Sequence, residues 1–305
     1  MGHLPVMQEE VVCYLDCGPG KVMVDATIGS GGHAAAILDR IGETGRLVGI
    51  DRDGEAIRRA SQRLAGRPVL LAEENFGNLE VILAEFGITQ VDGVLFDLGV
   101  SSEQLETAGR GFSFQLAGPL DMRMDQRSGR TAADLVNKLP EGQLAELLWQ
   151  YGGERWARRI ARKIAQSRQD SPVTTTDQLA AIVTAAIPAR ARRGRIHTAT
   201  RSFQALRIVV NEELAALRRG LIAAVNCTRS QGRIVVLSYQ SLDDGETKGI
   251  FRQLAVGREP GPPSLPEQEA PRVKILTRKP VRPSPEEVGR NPRARSARLR
   301  AVEKL

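Results

Sequence analysis

The sequence contains few cysteines, histidines and aromatic residues, and it has no long apolar run. Its 305 residues include three cysteines and three histidines, and aromatic side chains make up 4% of the chain. Cys13, Cys17 and Cys227 show no Cys-x-x-Cys spacing, so they indicate neither a disulfide framework nor a metal site. No stretch approaches the roughly 18 apolar residues of a membrane-spanning helix, and the first residues lack a signal-peptide pattern. We therefore predict a cytoplasmic protein with no metal and no membrane partner.

Basic and acidic side chains are distributed unequally along the chain. Residues 1–125 carry 10 basic and 19 acidic side chains, whereas residues 126–305 carry 33 basic and 17 acidic ones. An arginine-rich surface suits the phosphates of a nucleic acid, although a solvated basic face has the same composition. With 41% hydrophobic and 26% charged residues, the chain has the composition of a folded globular protein.

Short apolar runs alternate with helical segments, which predicts a doubly wound α/β fold with a mostly parallel sheet. The predicted strands are 22–25, 47–51, 69–72, 91–97, 233–238, 273–277 and 299–302. The predicted helices are about 33–41, 54–65, 77–86, 143–150, 155–167, 176–187 and 202–219. The helices without intervening strands predict an inserted α-helical domain at 104–209, between sheet-domain parts 1–103 and 210–305.

A glycine-rich segment, Asp25-Ala-Thr-Ile-Gly-Ser-Gly-Gly-His33, follows the first predicted strand. Glycines let the backbone turn tightly and approach a ligand, while the next helix presents free N–H groups to an anion. Alone, the segment fits a dinucleotide fingerprint or a simple turn equally well. Asp51 ends the second strand, where a carboxylate can bind both hydroxyls of a ribose. Asp53 is better suited to cap the following helix.

The residues at the end of the fourth strand help to distinguish a nicotinamide cofactor from an adenosyl cofactor. Asp97, followed by Ser101 and Ser102, lies where a transferred group would leave the cofactor. A nicotinamide-dependent oxidoreductase needs an acid or base that handles hydride chemistry, and the three histidines offer no convincing candidate. An adenosyl cofactor that carries a methionine carboxylate fits the strand ends better.

Several longer motifs extend this pattern along the whole chain. They are His3-Leu-Pro-Val-Met7, the segment 25–33, Phe96-Asp-Leu-Gly-Val-Ser-Ser-Glu-Gln104, Arg110-Gly-Phe-Ser-Phe114, Gly118-Pro-Leu-Asp-Met-Arg-Met-Asp125 and Ala199-Thr-Arg-Ser-Phe-Gln-Ala-Leu-Arg-Ile208. From residue 3 to about residue 302, the chain resembles the MraW (RsmH) family of S-adenosylmethionine-dependent 16S ribosomal RNA methyltransferases. The resemblance implies a Rossmann-like class I methyltransferase fold.

The resemblance also implies a reaction and a partner. The family transfers the methyl group of S-adenosylmethionine to the exocyclic N4 amine of a cytidine in the decoding centre of bacterial 16S rRNA. S-adenosylhomocysteine is the other product, and the small ribosomal subunit is the partner. The sequence leaves the oligomeric state open. A non-catalytic RNA-binding or ribosome-assembly protein also remains an alternative, alongside a dinucleotide-dependent oxidoreductase.

Cofactor contacts follow from the same resemblance. It implies that Gly31, Gly32 and His33 hold the methionine end of the cofactor and that Asp51 holds the ribose. Phe76 and Asp97 would flank the adenine side, and Gln104 would close the pocket.

One late segment departs from the family pattern. Where the family usually reads Ser-Phe-His-Ser-Leu-Glu-Asp-Arg, this chain has Ser238-Tyr-Gln-Ser-Leu-Asp-Asp-Gly245. Gln240 therefore replaces a histidine and Gly245 replaces an arginine. The role that the family gives to those two side chains does not transfer to this chain.

Catalysis at a cytidine amine requires a hydrogen-bond acceptor, because the amine is conjugated to the ring and is a poor nucleophile. Asp97, Ser101 and Ser102 are the candidates, although the two serines could instead cap a helix. Arg110, Phe112 and Phe114 are candidates for stacking on a displaced base, with burial in the core as the alternative.

Two arginine clusters are candidates for contact with the RNA backbone. The first comprises Arg155, Arg158, Arg159 and Arg162. The second comprises Arg190, Arg192, Arg193 and Arg195 and is followed by His197. The second cluster is the stronger candidate because the window 190–197 contains no acidic residue.

Overall fold

A computed structural model describes residues 5–127, 129–192, 197–257 and 270–305. The chain divides into two compact units. The sheet unit comprises Met1–Gly99 and Leu214–Leu305, and the helical unit comprises Val100–Glu213. The predicted residues His3, Arg193 and Arg195 lie outside the described ranges.

Among the described residues of the sheet unit, seven strands form one sheet, in the order β3-β2-β1-β4-β5-β7-β6. They are β1 Val22–Asp25, β2 Arg46–Asp51, β3 Val69–Glu73, β4 Val91–Asp97, β5 Thr228–Ser238, β6 Val273–Ile275 and β7 Arg298–Lys304. The first five strands run parallel to one another, and β7 runs antiparallel between β5 and β6. All seven predicted strands are confirmed, and β5 begins earlier than its apolar run.

Apolar side chains cover both faces of this sheet, because successive residues of a strand point to opposite faces. Val24, Val94 and Val236 belong to one buried cluster, whereas Met23 and Leu95 belong to the other. The helices that flank the sheet are α1 Gln8–Leu15, α2 Gly32–Ile41, α3 Gly54–Arg63, α4 Leu79–Glu85, α11 Glu213–Cys227, α12 Ser241–Ala255 and α13 Pro285–Arg290. The sheet is therefore doubly wound, with helices on both faces.

The helical unit packs its helices around a separate apolar core. Its helices are α5 Ser102–Glu106, α6 Ala132–Lys138, α7 Glu141–Gly152, α8 Ala157–Asp170, α9 Thr176–Ala186 and α10 Thr200–Val210. Leu144, Ile160, Leu179 and Leu206 are fully buried members of this core. None of the helices among the described residues is both long and apolar enough to cross a membrane.

The single helix predicted over 202–219 is wrong, because the chain breaks it into α10 and α11. Glu212 has a left-handed backbone with φ of 49°. The Asn211 side chain donates to the Met122 carbonyl oxygen at 2.8 Å and accepts the Met124 N–H at 2.8 Å. The Asn211 side chain also donates to the Arg207 carbonyl oxygen at 2.9 Å. The apolar periodicity continues across the break and hides it, because the Met122 and Met124 partners of Asn211 lie in a distant loop.

A substitution at Gly111 tests how closely the backbone around Pro119 packs against the loop that contains Gly111. Its φ is +71°, and a Cβ added there would lie 2.3 Å from the Pro119 carbonyl oxygen. We expect Gly111→Ala to lower the free energy of unfolding by about 2 kcal/mol or more, because strain and a backbone clash combine. Urea unfolding monitored by circular dichroism measures the change.

Gly142→Ala is the matched control. Gly142 lies in α7 with open space around its missing Cβ. Alanine favours a helix over glycine by about 0.5–1 kcal/mol, so this variant should be unchanged or slightly more stable. Equal unfolding midpoints for the two variants would contradict the packing that we describe around Gly111.

Candidate functional site

The glycine-rich loop between β1 and α2 turns within a few residues. Gly29 and Gly31 have φ of 52° and 82°, and Gly31 is the N-cap of α2. A Cβ on Gly32 would lie 2.9 Å from the Pro5 ring, so residues before α1 already occupy that space. The loop therefore leads directly into a helix whose first N–H groups have no partner within the helix.

Asp51 fastens this loop to the end of β2. Its carboxylate accepts the N–H of Gly29 at 3.0 Å and the N–H of Asp53 at 2.9 Å. Withdrawal from water raises the pKa of Asp51 to about 6, although these two N–H groups oppose the shift. Asp53 accepts the Glu55 N–H at 3.0 Å and caps α3, which confirms its predicted role.

Asp97, at the end of β4, meets three residues from two other segments, the glycine-rich loop and the end of β5. Its Oδ1 accepts the Tyr239 hydroxyl at 2.8 Å, and its Oδ2 lies 3.5 Å from His33 Nε2. Its N–H donates to Thr27 Oγ1 at 2.6 Å. Burial, reinforced by the charge and hydrogen bond of Asp97, raises the pKa of Tyr239 well above its usual value. Tyr239 is therefore a neutral donor that holds the Asp97 carboxylate.

His33 has a buried, ionisable imidazole that lies near the carboxylates of Asp97 and Asp25. Burial disfavours its charged form, but Asp97 and Asp25 outweigh that effect and raise the pKa of the imidazole. Its ring nitrogens make no hydrogen bond within the part of the chain that the structure describes. A buried polar atom in this condition is costly unless a ligand supplies the partner.

Asp25, at the end of β1, is fully buried beside this pair. It accepts the Thr27 N–H at 3.2 Å. Burial raises its pKa to about 7, and the neighbouring charges of Asp97 and Asp51 add to the shift while His33 opposes it. The carboxyl ends of β1, β2 and β4 therefore form an acidic edge of Asp25, Asp51 and Asp97.

Phe76 follows β3 in a short 3₁₀ turn and packs partly into the core. Its ring meets Phe96 edge to face, with 5.4 Å between the centroids. A Cβ on Gly220 would lie 2.7 Å from the Phe76 ring, so α11 leaves just enough room for it. Asn75 fixes the turn by accepting the Gly77 N–H at 2.9 Å.

Ser101 and Gln104 form a capping box at the start of α5 in the helical unit. Ser101 Oγ accepts the Gln104 N–H at 3.2 Å, and Gln104 Oε1 accepts the Ser101 N–H at 3.0 Å. Ser101 therefore caps a helix, which is the structural alternative to its catalytic role. Ser102 is the first residue of α5.

Arg110 and Phe112 are buried in the helical unit. The Arg110 guanidinium donates to the Arg123 and Met124 carbonyl oxygens at 3.1 and 2.8 Å and lies over the Phe112 ring. Phe112 is 7% exposed and belongs to the core. Both residues therefore have packing roles. This corrects the expectation that they stack on a displaced base.

Phe114 and His197 lie nearer the surface of the helical unit than the buried Phe112. Their rings stack with centroids 4.5 Å apart, and Phe203 meets Phe114 edge to face at 5.1 Å. His197 is exposed, while Phe114 is partly buried. Arg192 is also exposed, and its Nε donates to the Ile187 carbonyl oxygen at 2.8 Å. The helical unit therefore carries an aromatic pair on its surface.

In the divergent segment, Gly245 has open space where an arginine side chain stands in the family pattern. Gln240 is the N-cap residue of α12, and its Oε1 is buried without a hydrogen-bond partner among the described residues. Sequence reasoning missed Tyr239. The only signal was its replacement of the phenylalanine that is usual in the family.

The acidic edge of the sheet unit and the adjoining start of α2 fit a cofactor that carries both a negative and a positive group. The N-terminus of α2 and the His33 ring, whose nitrogens make no hydrogen bond among the described residues, suit a carboxylate. Asp25, Asp51 and Asp97 suit nearby cationic groups, such as an ammonium or a sulfonium, because a cation lowers the cost of keeping buried carboxylates ionised. S-adenosylmethionine has all of these groups and a ribose. Within the described ranges, no cluster of three or more His, Cys, Asp or Glu side chains is arranged to hold a metal ion.

The strand order, the antiparallel β7 and the acidic edge define a class I, S-adenosylmethionine-dependent methyltransferase. The chain belongs to the MraW methylase family, whose profile matches residues 1–305.

Two curated proteins that resemble the chain over nearly their whole length carry the same name. "Ribosomal RNA small subunit methyltransferase H" of Geotalea uraniireducens is 50% identical over 99% of this chain and 98% of that protein. The protein of the same name from Trichlorobacter lovleyi is 48% identical with the same coverage. An rRNA methylase structure from Streptococcus thermophilus is 10% identical, with a TM-score of 0.42 over 98% of this chain and 93% of that one.

The first prediction at the site concerns Asp51. We expect Asp51→Ala to weaken S-adenosylmethionine binding by about 1–3 kcal/mol, because charged hydrogen bonds to the ribose are lost. Isothermal calorimetry measures the affinity. Asp39→Ala is the control of equal charge, since Asp39 is a surface residue paired with Arg67. Unchanged affinity in a folded Asp51→Ala protein would refute the ribose assignment.

The second prediction concerns stability and pH in the absence of ligand. The pKa of Asp25 is raised to about 7, so its protonated form stabilises the fold at low pH. That contribution is complete below about pH 4 and is lost as the pH rises to about 7. Asp25→Asn should therefore gain stability relative to wild type across this range, at about 1.4 kcal/mol for each unit of pKa shift. Urea titrations at several pH values measure it, and parallel curves would contradict the shift.

Proposed function

We propose that this protein transfers the methyl group of S-adenosylmethionine to the N4 amine of a cytidine in the 16S rRNA of the small ribosomal subunit, in the cytoplasm. The observation that carries the proposal is the Asp97 carboxylate, held by Tyr239 and His33 at the acidic edge. The substrate comes from the family resemblance and from the name of the relatives.

The cofactor orientation follows from the charges at the edge. S-adenosylmethionine supplies an electrophilic methyl group on a positively charged sulphur. Gly31, Gly32 and His33 would bind its methionine carboxylate, and Asp51 would bind its ribose hydroxyls. Phe76 would limit the adenine side.

Gln104 is a weaker candidate for contact with the cofactor. Its amide oxygen is committed to the cap of α5 through the Ser101 N–H. We therefore propose no direct cofactor contact through that oxygen.

Asp97 is the acceptor that we assign to the cytidine amine. A hydrogen bond from the amine to a carboxylate localises the nitrogen lone pair for attack on the methyl carbon. Asp97 or water would accept the amine proton when the bound cofactor gives up its methyl group, with the carbon–sulphur bond replaced by the new carbon–nitrogen bond. Tyr239 fixes one carboxylate oxygen, so Asp97 needs little reorganisation during the reaction. Ser101 is a weaker candidate because its Oγ already serves the helix cap.

The helical unit is the part that we propose for RNA recognition. The Phe114–His197 pair offers an aromatic surface on which a displaced base can stack, worth about 1–3 kcal/mol per base. Arg192 would neutralise RNA phosphates, and Arg193 and Arg195, which lie outside the described ranges, are proposed for the same role from the sequence alone. The burial of Arg110 and Phe112 removes them from this proposed surface.

The test supplies tritiated S-adenosylmethionine and small subunits from a strain that lacks the activity. Nucleoside mapping should find the label in one N4-methylcytidine of the 16S rRNA. Subunits that bind the protein but acquire no label would instead favour a non-catalytic assembly protein. Binding of a reduced nicotinamide dinucleotide in place of S-adenosylmethionine would favour an oxidoreductase.

The acceptor assignment makes a separate prediction. At saturating cofactor, Asp97→Asn should slow single-turnover methyl transfer by on the order of 10²-fold or more, because the amide is a poorer acceptor. Ser101→Ala should stay within a few-fold of wild type and cost only the helix cap, about 1 kcal/mol of stability. A hundredfold loss in Ser101→Ala with a wild-type rate in Asp97→Asn would reverse the assignment.

A further inference from the structure

A second basic surface lies on the sheet unit, in a segment that the RNA candidates above do not include. Residues 278–298 contain seven basic and two acidic side chains. Arg290 pairs with Glu286, and Arg298 pairs with Asp244. The cationic edge, as we define it, consists of the four exposed basic residues that make no ion pair among the described residues. These are Arg278, Lys279, Arg282 and Arg295.

The antiparallel direction of β7 puts this segment beside the site. Arg298, the first residue of β7, pairs with Ser238, the last residue of β5. The next residue after Ser238 is Tyr239, which donates to Asp97. Because β7 runs against its neighbour, its beginning lies at the carboxyl edge of the parallel strands. Arg295, three residues before β7, therefore approaches the edge that holds the acidic cluster.

Backbone hydrogen bonds attach the rest of the cationic edge to the same strand. Val281 and Leu299 exchange both N–H···O bonds, at 2.9 and 3.0 Å. The Thr277 hydroxyl accepts the Ala301 N–H at 2.9 Å. Arg278 and Lys279 therefore lie on a short loop anchored at both ends, and Arg282 directly follows its second anchor.

Helix α13 provides an independent link from this segment to the glycine-rich loop. Glu287 of α13 accepts the N–H of Met7 at 2.5 Å. Two residues earlier, Pro5 packs against Gly32 at the start of α2. The segment 278–298 is therefore tied to the site through β7 and through α13, so its position relative to Asp97 is fixed.

We propose that Arg278, Lys279, Arg282 and Arg295 bind the phosphate backbone of the RNA next to the methyl-transfer site. The proposal rests on the proposed function, since it assumes an RNA substrate. Unpaired cations release counterions when they bind a polyanion, which favours RNA. A protein partner is less well matched, because the exposed large hydrophobic residues among the described residues all lie outside 278–298, whereas protein interfaces have an apolar centre.

The experiment compares two double variants with equal changes of charge. Arg282→Gln with Arg295→Gln removes two cations from the cationic edge. The control, Arg46→Gln with Arg229→Gln, removes two exposed cations near the starts of β2 and β5, at the opposite edge of the sheet. Binding to protein-free 16S rRNA and to assembled small subunits is measured at several potassium chloride concentrations. Calorimetry with S-adenosylmethionine and thermal melting show that each protein is folded.

The edge variant should bind protein-free rRNA about tenfold more weakly at low salt. Its slope of log affinity against log salt should fall by about 1–2, because each lost phosphate contact removes about 0.7–0.9. Its cofactor affinity should match that of wild type, and the control should retain the wild-type salt slope. A variant that also replaces Arg278 and Lys279 with Gln should lose more of the slope.

An edge variant with the control's salt slope would overturn the proposal. Weaker binding to assembled subunits with unchanged binding to free rRNA would also overturn it, because the surface would then contact a ribosomal protein. Failure of the proposed function is a separate outcome. It would appear as wild-type protein that binds rRNA but transfers no methyl group, and the salt slopes would still test the cationic edge.

Discussion

The parallel pairing of β1 with both β2 and β4 is the constraint on which the site depends. It brings the strand ends Asp25, Asp51 and Asp97 to one edge of the sheet, although they are far apart in the sequence. The sheet is buried on both faces, so this edge is the place where strand-end side chains can reach a ligand. The glycine-rich loop then closes against the edge because Asp51 accepts the Gly29 N–H.

Burying several carboxylates close together destabilises their charged forms, and their raised pKa values reflect this. The pKa of Asp25 rises to about 7 and that of Asp51 to about 6, chiefly through burial. Hydrogen bonds from the backbone and the Tyr239 hydroxyl, together with the His33 imidazole beside Asp97, offset part of this cost. A cationic cofactor offsets more of it, so the acidic edge lowers the stability of the free protein and favours binding of a sulfonium. Because burial raises the pKa values of Asp25 and Asp51, the free protein becomes less stable as the pH rises.

The long family motifs serve packing as well as chemistry. In the helical unit, Arg110 and Phe112 stabilise the core and Ser101 caps a helix, although all three stand in motifs that suggest function. Phe114 stands in the same motif as Phe112, but it packs against exposed His197 at the surface. Neighbouring residues of a motif therefore differ in role according to what the rest of the unit places beside them.

The sequence by itself determined the seven strands, the glycine turn, the acidic strand ends and the Asp53 helix cap, because periodicity, turn chemistry and capping are local properties. The tertiary structure alone decided which side chains meet. The Tyr239 hydroxyl reaches Asp97 across 142 residues, and Asn211 ends α10 by bonding to a loop 89 residues earlier. The sequence left burial and base stacking open for Arg110 and Phe112, and the packing of the helical unit decided for burial. Such contacts depend on strand order and on packing between distant segments, which local sequence patterns do not encode.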